Sequence, residues 1–493
     1  MKEVKNITRR TFLGTAASAA AGFTILPSNV IAGLGHKAPS DKLNIAGIGV
    51  GGQGYNNLRN LETENIVALC DVDWDYAENT FKRWPKATTY KDYRVMLEQQ
   101  NDIDAVMIAT PDHSHALPAV LAMREGKHVF LQTPLTHSIY ESRILSDLTG
   151  RYGVSTQMGN QGNSGEGIRR ISEWIWTGAI GEITHVDAWT THPQWPQPLQ
   201  KPERDKRVPR DLDWDLFVGP ASWREYHPIY HPWNWRAWWD FGTGALGNMG
   251  THILDPVFKA LNLGHPKTVE ASSSLYNIES PPKSEFVKYE FPRRDNLPKV
   301  AMPEMTLHWY DGGMMPPRPD ELEAGEKMGD KDGGCIFHGT RGKIMCGTYA
   351  SNPTLLPVSK MENFEEPEKT IRRVFNAGEG GHEQDWIRAC KEPQERRLET
   401  SSNFQYAGPL TEMVLLGVLA VRLKSLNRKL KWDGPNMRFT NITPNDMLSI
   451  LTEKEFVVEY GNPKFNREHA TLPAIETAEE WLRHTYRQGW EQI

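Results

Sequence analysis

A strand-like run that leads directly into three spaced glycines constrains this chain more than any other feature. Residues 43–55 read LNIAGIGVGGQGY, with glycines at positions 49, 51 and 54. The spacing G-x-G-x-x-G predicts a strand, a tight turn and a helix. Gly49 permits the turn, Gly51 lets the backbone approach a pyrophosphate, and Gly54 lets helix and strand pack closely. Glycine-rich turns also occur without a ligand, so this motif alone does not establish a dinucleotide site. The sequence around it has to be considered as well.

A second predicted strand ends in an acidic residue where a dinucleotide site requires one. Asn65–Cys70 is apolar and β-compatible, and Asp71 follows it, about 20 residues after Gly49. A carboxylate there accepts hydrogen bonds from ribose hydroxyls and repels a 2′-phosphate. The two motifs together therefore predict a site for NAD, with NADP less favoured. The alternative role, capping the next helix, suits Asp73 better than Asp71.

The following segments alternate between strand and helix, as a parallel sheet with crossover helices requires. Predicted strands at 103–109 and 127–131 lead into the loops 110–115 and 132–135. Since ligands bind at the carboxyl ends of parallel strands, both loops are expected to face the cofactor.

The first of these loops also contains Asp112, His113 and His115, which have the residue types of a metal cluster. No further ligand is evident elsewhere in the sequence, and paired histidines are more often structural. We therefore expect no metal site here.

Length and charge limit the architecture and the partners. The 493 residues are too many for one ordinary core and predict two domains. A formal net charge of −6 argues against a nucleic-acid partner, and after the N-terminal leader no apolar run is long enough to predict a membrane span. The four cysteines, at positions 70, 335, 346 and 390, are far apart, so buried free thiols are expected.

The N-terminus carries a twin-arginine pattern. Arg9 and Arg10 stand within TRRTFL, an alanine-rich segment follows, and VIA at positions 30–32 offers a small-residue cleavage site. This predicts a Tat-type export signal over residues 1–32 and a periplasmic protein that folds around its cofactor before export. A disordered or interfacial basic leader is the alternative.

Three motifs together resemble the Gfo/Idh/MocA oxidoreductases, which include glucose–fructose oxidoreductase and inositol dehydrogenase. They are the glycine turn, the Thr-Pro-Asp-x-x-His loop at 110–115 and the strand ending x-x-Pro-Leu at Leu135. The likeness continues along nearly the whole chain, through segments 159–162, 244–252 and 382–386, and is strongest to the exported, twin-arginine branch.

The resemblance implies an α/β protein with a Rossmann domain at 41–160 and an α+β domain at 161–493 built on a mainly antiparallel open sheet. It implies a nicotinamide cofactor, a carbohydrate substrate and a homo-oligomer. The residues expected around the cofactor are Gly49, Gly51, Gly52, Gln53, Gly54, Asp71, Thr110, Pro111, His115, Gln132 and Asn160.

The chain departs from the family pattern at two catalytic positions. Gln-Thr-Pro stands where the family has Glu-Lys-Pro, so Thr133 replaces a lysine that helps to polarise the substrate oxygen. The family's Asp-x-x-x-His becomes Asn248-x-x-x-His252, with both side chains on one helix face. His252 remains the acid/base candidate, because an unperturbed histidine pKa of about 6.5 suits proton transfer. Thr133 and Asn248 would orient the reacting oxygen without charge.

Residues 192–240 are rich in proline and tryptophan and show little helical pattern. Indole faces can stack on sugar rings while His and Arg bond hydroxyl groups, so this insertion predicts a carbohydrate site. The candidates are Trp195, His231, Trp235 and Arg236. A loop held down by its own aromatic residues, or a subunit contact, is equally compatible with each tryptophan.

Three functions are consistent with these features. The first is a nicotinamide-dependent oxidoreductase of a sugar or glycoside hydroxyl that keeps its cofactor bound, because the periplasm offers no ready NAD pool. The second is a hydrolase or lyase, in which transient oxidation at carbon 3 acidifies the neighbouring C–H and elimination cleaves the glycosidic bond. The third is a sugar-binding relative with weakened catalysis, motivated by Thr133 and Asn248.

Overall fold

The computed structural model describes residues 41–203, 206–294, 302–490 and 493. The predicted export signal at 1–32 lies outside the described residues. Leu43–Ile493 forms one unit. Its strands are β1 (Asn44–Ile48), β2 (Asn65–Cys70), β3 (Thr88–Tyr90), β4 (Ala105–Ile108), β5 (His128–Leu131), β6 (Thr156–Met158), β7 (Ile183–Thr190), β8 (Thr268–Ser273), β9 (Glu285–Phe291), β10 (Met305–Tyr310), β11 (Gly333–Gly339), β12 (Gly342–Gly347), β13 (Thr354–Leu356), β14 (Leu430–Asp433), β15 (Arg438–Phe439), β16 (Met447–Glu459) and β17 (Asn462–Pro473).

The α-helices of the described chain alternate with the early strands, and the later helices pack on both sheets. They are α1 (Gln53–Asn60), α2 (Glu78–Arg83), α3 (Tyr93–Gln99), α4 (Ala116–Arg124), α5 (Ile139–Tyr152), α6 (Glu166–Trp176), α7 (Trp214–Val218), α8 (Gly244–Ile253), α9 (Asp255–Ala260), α10 (His382–Lys391), α11 (Phe404–Arg422) and α12 (Ala474–Arg483).

The first sheet is parallel, in the order β3-β2-β1-β4-β5-β6. Its central strands are almost wholly buried, as expected when helices cover both faces of a parallel sheet. The strand order reverses direction at β1, so a crevice opens at the carboxyl ends of β1 and β4. Helix α10 comes from far along the chain, yet Trp386 packs into the core of this sheet with Ile45, Leu69 and Phe130.

The second sheet has nine strands in the order β13-β12-β11-β7-β10-β9-β8-β14-β15. Strands β7 and β10 pair in parallel and the other neighbours are antiparallel. Strands β9 and β10 alternate between buried and half-buried residues, so one face of the sheet is covered and the other is partly open. The predicted fold class, a Rossmann domain followed by an α+β domain with a mainly antiparallel sheet, is confirmed.

Helix α11 lies in the hydrophobic core of the protein. Among the described residues it is long and apolar enough to cross a membrane, with a mean hydropathy of 1.4, but 83% of that segment is buried within the protein. It packs against α5, α8 and strand β8. Its apolar character is therefore explained by its place in the fold.

The tryptophan-rich insertion forms an aromatic core of its own and is attached to the first domain. Trp214 stacks on Phe217 with ring centroids 4.9 Å apart, and both belong to a cluster that includes Trp238. The backbone N–H of Asp213 donates to the carbonyl of Val72 at 2.8 Å, just beyond β2. The insertion is thereby held beside the crevice of the first sheet.

Two of the four cysteines lie close together in the second sheet. Cys335 on β11 is opposite Cys346 on β12, and their sulfur atoms are 3.2 Å apart with both side chains buried. Both are free thiols, as the sequence predicts for all four cysteines. Their proximity has no sequence signal, because it depends on the register of the two strands.

Candidate functional site

A cavity of about 520 Å³ joins the crevice of the first sheet to helix α8 and the insertion. Most of the residues singled out from sequence line it. These are Gly49, Gly51, Gly52, Gln53, Asp71, Thr110, Pro111, Gln132, Thr133, His231, Trp235, Arg236, Asn248 and His252. Gly54, His115, Asn160 and Trp195 do not line it and are considered separately below.

The glycine turn has the geometry that its spacing predicts. Gly49 has a φ of +71°, and a Cβ there would approach the backbone nitrogen of Thr110 to 2.7 Å. Gly54 does not line the cavity because its α-carbon packs on the carbonyl of Gly49, where a side chain has no room. The first turn of α1 has no side-chain cap, so its N-terminus is available to a phosphate.

Asp71 is buried at the end of β2 and binds the glycine turn directly. Its Oδ2 accepts hydrogen bonds from the backbone N–H groups of Val50 at 2.8 Å and Gly51 at 3.1 Å, and its Oδ1 accepts from Asp73 N–H at 3.0 Å. Burial raises the pKa of Asp71, while these backbone hydrogen bonds oppose the rise. The carboxylate thus fixes the turn and also reaches the cavity, where a ribose would lie.

Tyr76 lies across the turn and was missed by the sequence analysis. A Cβ on Gly51 would clash with its ring, and its hydroxyl is next to Gly52. The side chain is 43% exposed, so it can move when a ligand approaches the turn. Lys91, Tyr93 and Trp490 also line this end of the cavity. No local motif marks these residues, because they come from separate segments of the chain, including the first turn of α3.

At the other end of the cavity the Thr133 hydroxyl lies 3.3 Å from Nε2 of His252. Burial lowers the pKa of His252 to about 4, and the nearby imidazoles of His382 and His192 add to this effect. The imidazole is therefore neutral at neutral pH and can accept a proton. The sequence analysis assigned both residues to the reaction, and the fold brings them together from the loop after β5 and from α8.

Asn248 lines the cavity one helical turn before His252, as the spacing predicts. However, Nδ1 of His252 has no hydrogen-bond partner among the described residues. The Asn248 amide therefore does not hold the imidazole in this structure. It faces the cavity as a separate polar group.

Tyr349 is a further residue of this end that the sequence analysis missed. Its ring meets that of His252 edge to face, with centroids 4.9 Å apart. Its backbone has a φ of +60°, and the next residue, Ala350, is also left-handed at +57°. Such conformations are unfavourable for residues with side chains and concentrate at functional sites. The strained turn places the phenol beside the acid/base candidate.

Besides Gly54, the cofactor candidates His115 and Asn160 do not reach the cavity and instead contact other parts of the protein. The ring nitrogens of His115 lie 2.8 Å and 2.9 Å from the carbonyl oxygens of Pro134 and Thr110, so this imidazole joins the two loops that face the cofactor. Asn160 is fully buried and donates to Asp255 Oδ2 at 3.0 Å. Burial raises the pKa of Asp255 to about 6. Neither His115 nor Asn160 lines the cavity, contrary to their prediction as cofactor contacts.

The insertion supplies a cation enclosed by indole rings. The Arg236 guanidinium lies 4.1 Å from the ring centroid of Trp235 and 4.3 Å from that of Trp233. Trp195 is buried, and its ring centroid lies 6.0 Å from the same guanidinium. It was predicted to be part of the sugar site, but it does not line the cavity. Trp233 was not among the predicted site residues but is 53% exposed and lines the cavity.

His231 links the insertion to the first domain. Its Nε2 lies 2.7 Å from Asp73 Oδ2. Partial burial raises the pKa of Asp73, but the hydrogen bonds from His231 and Tyr76 N–H outweigh it and leave the pKa lowered. Asp73 therefore holds the insertion and also accepts the N–H of Tyr76. Its predicted role as the cap of the next helix is wrong, because α2 has Ala77 at its N-cap and no side-chain cap hydrogen bond.

The three residues with the types of a metal cluster have other partners. Asp112 Oδ2 accepts from the Thr243 hydroxyl at 2.7 Å. The ring nitrogens of His113 lie 3.0 Å and 3.3 Å from the carbonyl oxygens of Phe217 and Phe241. These contacts fasten the loop 110–115 to the insertion and to the segment that directly follows it.

Comparison with known families identifies the class to which this fold and cavity belong. The model of the oxidoreductase family with an NAD-binding Rossmann fold matches residues 43–160, and the model of its C-terminal alpha/beta domain matches residues 174–281. Residues 43–160 and 174–281 therefore match the two domains of the Gfo/Idh/MocA oxidoreductases, and the predicted resemblance is confirmed.

Individual proteins of similar sequence include two from Shewanella species. A glycosyl hydrolase family 109 protein of Shewanella putrefaciens and an alpha-N-acetylgalactosaminidase of Shewanella oneidensis are each 26% identical over 317 residues. The matched region covers 58% of this chain and 62% of each relative, so it spans less than two thirds of their length.

Solved structures share the fold at low identity. The WlbA dehydrogenase of Bordetella pertussis, in complex with NADH and UDP-GlcNAcA, is 16% identical with a TM-score of 0.52, covering 80% of this chain and 99% of that one. The GenD2 protein of gentamicin A biosynthesis, in complex with NAD, is 16% identical with a TM-score of 0.51, covering 80% and 97%.

Proposed function

We propose that this protein oxidises a hydroxyl group of a sugar or glycoside with an NAD that stays bound through turnover. The observation that carries the proposal is the single cavity that joins the glycine turn and Asp71 to the Thr133–His252 pair and the indoles of the insertion. The uncapped helix N-terminus, the glycine cradle and the Asp71 carboxylate fit a dinucleotide. Bound NAD would supply the hydride acceptor.

His252 takes the hydroxyl proton in this proposal. Its lowered pKa keeps the imidazole neutral, and its Nε2 is directed to the Thr133 hydroxyl. When that hydroxyl donates to Nε2, the proton of the imidazole resides on Nδ1. A substrate hydroxyl that replaces or shares this hydrogen bond meets a lone pair ready to accept its proton. Thr133 and Asn248 then orient the substrate oxygen.

The sugar ring is held by the insertion. The exposed face of Trp233 and the ring of Trp235 offer apolar surface, and Arg236 between them offers several N–H donors to hydroxyl or carboxylate oxygens. Trp233 is the better candidate for stacking on a sugar ring, because its side chain is 53% exposed whereas that of Trp235 is 8% exposed.

A second candidate function is glycoside hydrolysis without net redox change, which the names of the Shewanella relatives favour. Oxidation at carbon 3 makes the proton on carbon 2 acidic. A base removes that proton, and the electron pair forms the C1–C2 double bond as the aglycone leaves from carbon 1. Water then adds at carbon 1 and carbon 2 regains a proton, and return of the hydride restores the alcohol at carbon 3. The rings of His252 and Tyr349 are in contact, so these two side chains would share the proton transfers at carbon 2 and at the leaving oxygen.

One experiment separates the candidates. Purified protein is incubated with p-nitrophenyl glycosides, including the α-N-acetylgalactosaminide, in deuterated water. Keto-sugar formation with NADH absorbance of the bound cofactor supports oxidation. Release of p-nitrophenol with deuterium incorporated at carbon 2 and no net NADH supports hydrolysis. Sugar binding with neither product would overturn both and favour a binding protein.

The cofactor can be tested first and without a substrate. The protein is denatured and the released small molecules are identified by mass spectrometry. We expect NAD or NADH in near-equal amount to protein. Absence of a dinucleotide, combined with no binding of added NAD to the refolded or native protein, would refute the central part of the proposal.

We also propose export and self-association. The twin-arginine pattern at Arg9 and Arg10 supports export to the periplasm, and replacing both arginines by lysine should retain the protein in the cytoplasm in a fractionation experiment.

The half-open face of the second sheet supports a homo-oligomer, which light scattering on the purified protein would detect. A monomer at all concentrations would contradict the second part.

A further inference from the structure

Three histidines surround one carboxylate on the second sheet, away from the cavity. His185 and Asp187 are on β7, His308 is on β10 and His338 is on β11. These strands are neighbours, and the register places His308 opposite Asp187 and His338 opposite His185. Because side chains alternate along a strand, all four project from the same, partly open face.

The ligand atoms converge at distances suited to one cation. Nε2 of His185 lies 2.8 Å from Asp187 Oδ1, and Nδ1 of His308 lies 3.5 Å from the same oxygen. One such atom from each of the three residues lies within 4.8 Å of the others. Ligand bonds of about 2.0–2.1 Å in a tetrahedron require ligand atoms about 3.3 Å apart. The observed spacing brackets that value.

We propose that His185, Asp187 and His308 bind a divalent transition-metal ion, with Zn²⁺ as the best fit. Two imidazoles and a carboxylate form a donor set that zinc accepts, and a fourth position would be filled by water. The site does not overlap the proposed cofactor and sugar cavity, and it is independent of the proposed function.

The groups around the three ligands have the arrangement expected of a second coordination shell. Nδ1 of His185 lies 2.7 Å from the Thr306 hydroxyl, which fixes the ring so that Nε2 faces the site. Nε2 of His338 lies 3.0 Å from Asp187 Oδ2, so this histidine holds the carboxylate oxygen that the metal does not use. His338 is therefore a positioning residue in this proposal.

Partial exposure allows a metal to enter. The Asp187 side chain is 7% exposed, while those of His185, His308 and His338 are 25%, 22% and 25% exposed. The carboxylate lies at the base and the imidazoles form the rim. A metal bound here would tie together β7 and β10, whose pairing is the parallel one within an otherwise antiparallel sheet.

The test uses the full-length protein purified without a histidine tag, loaded with excess Zn²⁺ or Co²⁺ and then desalted. We expect about one metal ion per chain by elemental analysis, the visible bands of tetrahedral Co²⁺, and a rise of Tm with added Zn²⁺. His308→Ala should abolish all three, and His338→Ala should weaken binding about 10–100-fold without abolishing it. His469→Ala, in the exposed hairpin of β16 and β17, is the matched control and should bind like wild type.

Three results would overturn the proposal. They are no metal retained by a folded wild-type protein, metal retained equally by His308→Ala, or metal lost equally from His469→Ala. Circular dichroism of each variant checks its folding. If His308→Ala does not fold, His308→Gln gives the same test with a side chain that keeps most of the volume.

Discussion

The hydroxyl of Thr133 lies 3.3 Å from Nε2 of His252, although the two residues come from different domains of the fold. The hydroxyl can donate to the neutral imidazole but carries no charge. The pair is therefore uncharged, whereas the resemblance implies a lysine at position 133. Its effect on the reaction is the first thing to measure.

Replacing Thr133 by Val removes the hydroxyl while keeping the branched shape. A neutral hydrogen bond is worth about 1 kcal/mol, so we expect turnover to fall about fivefold to tenfold with the affinity for NAD unchanged. Steady-state kinetics and cofactor titration measure the two effects. Thr133→Ser, which keeps the hydroxyl, is the control and should retain most of the activity.

Thr133→Lys restores the residue type that the family has here. If the threonine had weakened an ancestral activity, the lysine variant should gain turnover on a sugar substrate. No gain in a folded variant that binds NAD would contradict the weakened-catalysis hypothesis. The same assay on wild type gives the baseline.

The pH dependence of the reaction should follow the lowered pKa of His252. Since burial lowers this pKa to about 4, the imidazole loses its function as a base only when the pH falls towards 4. We expect kcat/KM to be flat from about pH 5.5 to 8 and to fall at lower pH, whereas an unperturbed histidine would give an acid limb near about 6.5. An acid limb near 6.5 would show that another group, or a more solvated His252, is the base.

Stability should also decrease in mild acid, because several wholly or partly buried histidines stay neutral in the folded protein. Burial lowers the pKa of His113, His128 and His252 to about 4 in each case. In the unfolded chain these groups take up protons near their usual pKa of about 6.5. The unfolded state therefore binds more protons between pH 6.5 and 4, and the free energy of unfolding falls as the pH is lowered through that interval.

Thermal unfolding at a series of pH values tests this prediction. Tm should be nearly constant from pH 8 to 7 with respect to these groups and should decrease steadily from about 6.5 to 4. In His113→Asn the decrease should be shallower, because the contribution of His113 is removed. An equal slope in wild type and variant would contradict the assignment for His113.

Two glycines of the turn should respond differently to alanine. At Gly51 the new methyl group meets the ring of Tyr76, a partly exposed side chain that can rotate away. At Gly54 it meets the backbone carbonyl of Gly49, which is fixed by the sheet. We expect Gly51→Ala to weaken NAD binding with little change in Tm, and Gly54→Ala to destabilise the protein by about 1–3 kcal/mol.

Calorimetric NAD titration and thermal unfolding measure these two effects. The double variant Gly51→Ala/Tyr76→Ala shows whether the tyrosine ring or the lost approach of the pyrophosphate causes the weaker binding. If Tyr76→Ala restores affinity, the ring is responsible. Equal losses of Tm at Gly51 and Gly54 would contradict the structural distinction.

Asp71→Asn should change the choice between cofactors. The carboxylate repels a 2′-phosphate, and the amide does not, so we expect the ratio of NADP to NAD affinity to rise at least several-fold. Since Asp71 also accepts hydrogen bonds from Val50 and Gly51, Tm should fall as well. Titration with both cofactors measures the ratio, and an unchanged ratio would show that Asp71 acts on the turn alone.

Much of the fold followed from local patterns. The strand Asn65–Cys70 was predicted with the observed bounds, because its apolar run and the acidic residue at its end mark it clearly. The contacts of Tyr76 and Tyr349 could not be predicted in this way. Each approaches the site from a loop whose position depends on the packing of distant elements.

Some residues were assigned to the wrong surroundings for the same reason. His115 and Asn160 are polar and adjacent to cofactor-facing segments, but the fold turns them inward to Pro134 and Asp255. Trp195 and Trp233 are indistinguishable in the sequence, yet one is buried and the other exposed. Local pattern gives the composition of a site, while burial depends on which neighbours arrive.

The sequence by itself determined the glycine turn, the acidic end of β2 and the alternation of strands and helices, because each rests on steric and hydrogen-bonding rules that act over a few residues. The tertiary structure decided what surrounds that turn. Tyr76 covers the turn, and Arg236 lines the same cavity between the indole rings of Trp233 and Trp235. The Thr133–His252 pair lies at the other end of that cavity. Arg236 is more than a hundred positions from the glycine turn, and so is Thr133 from His252. Long-range packing, which no local pattern encodes, fixes their distances.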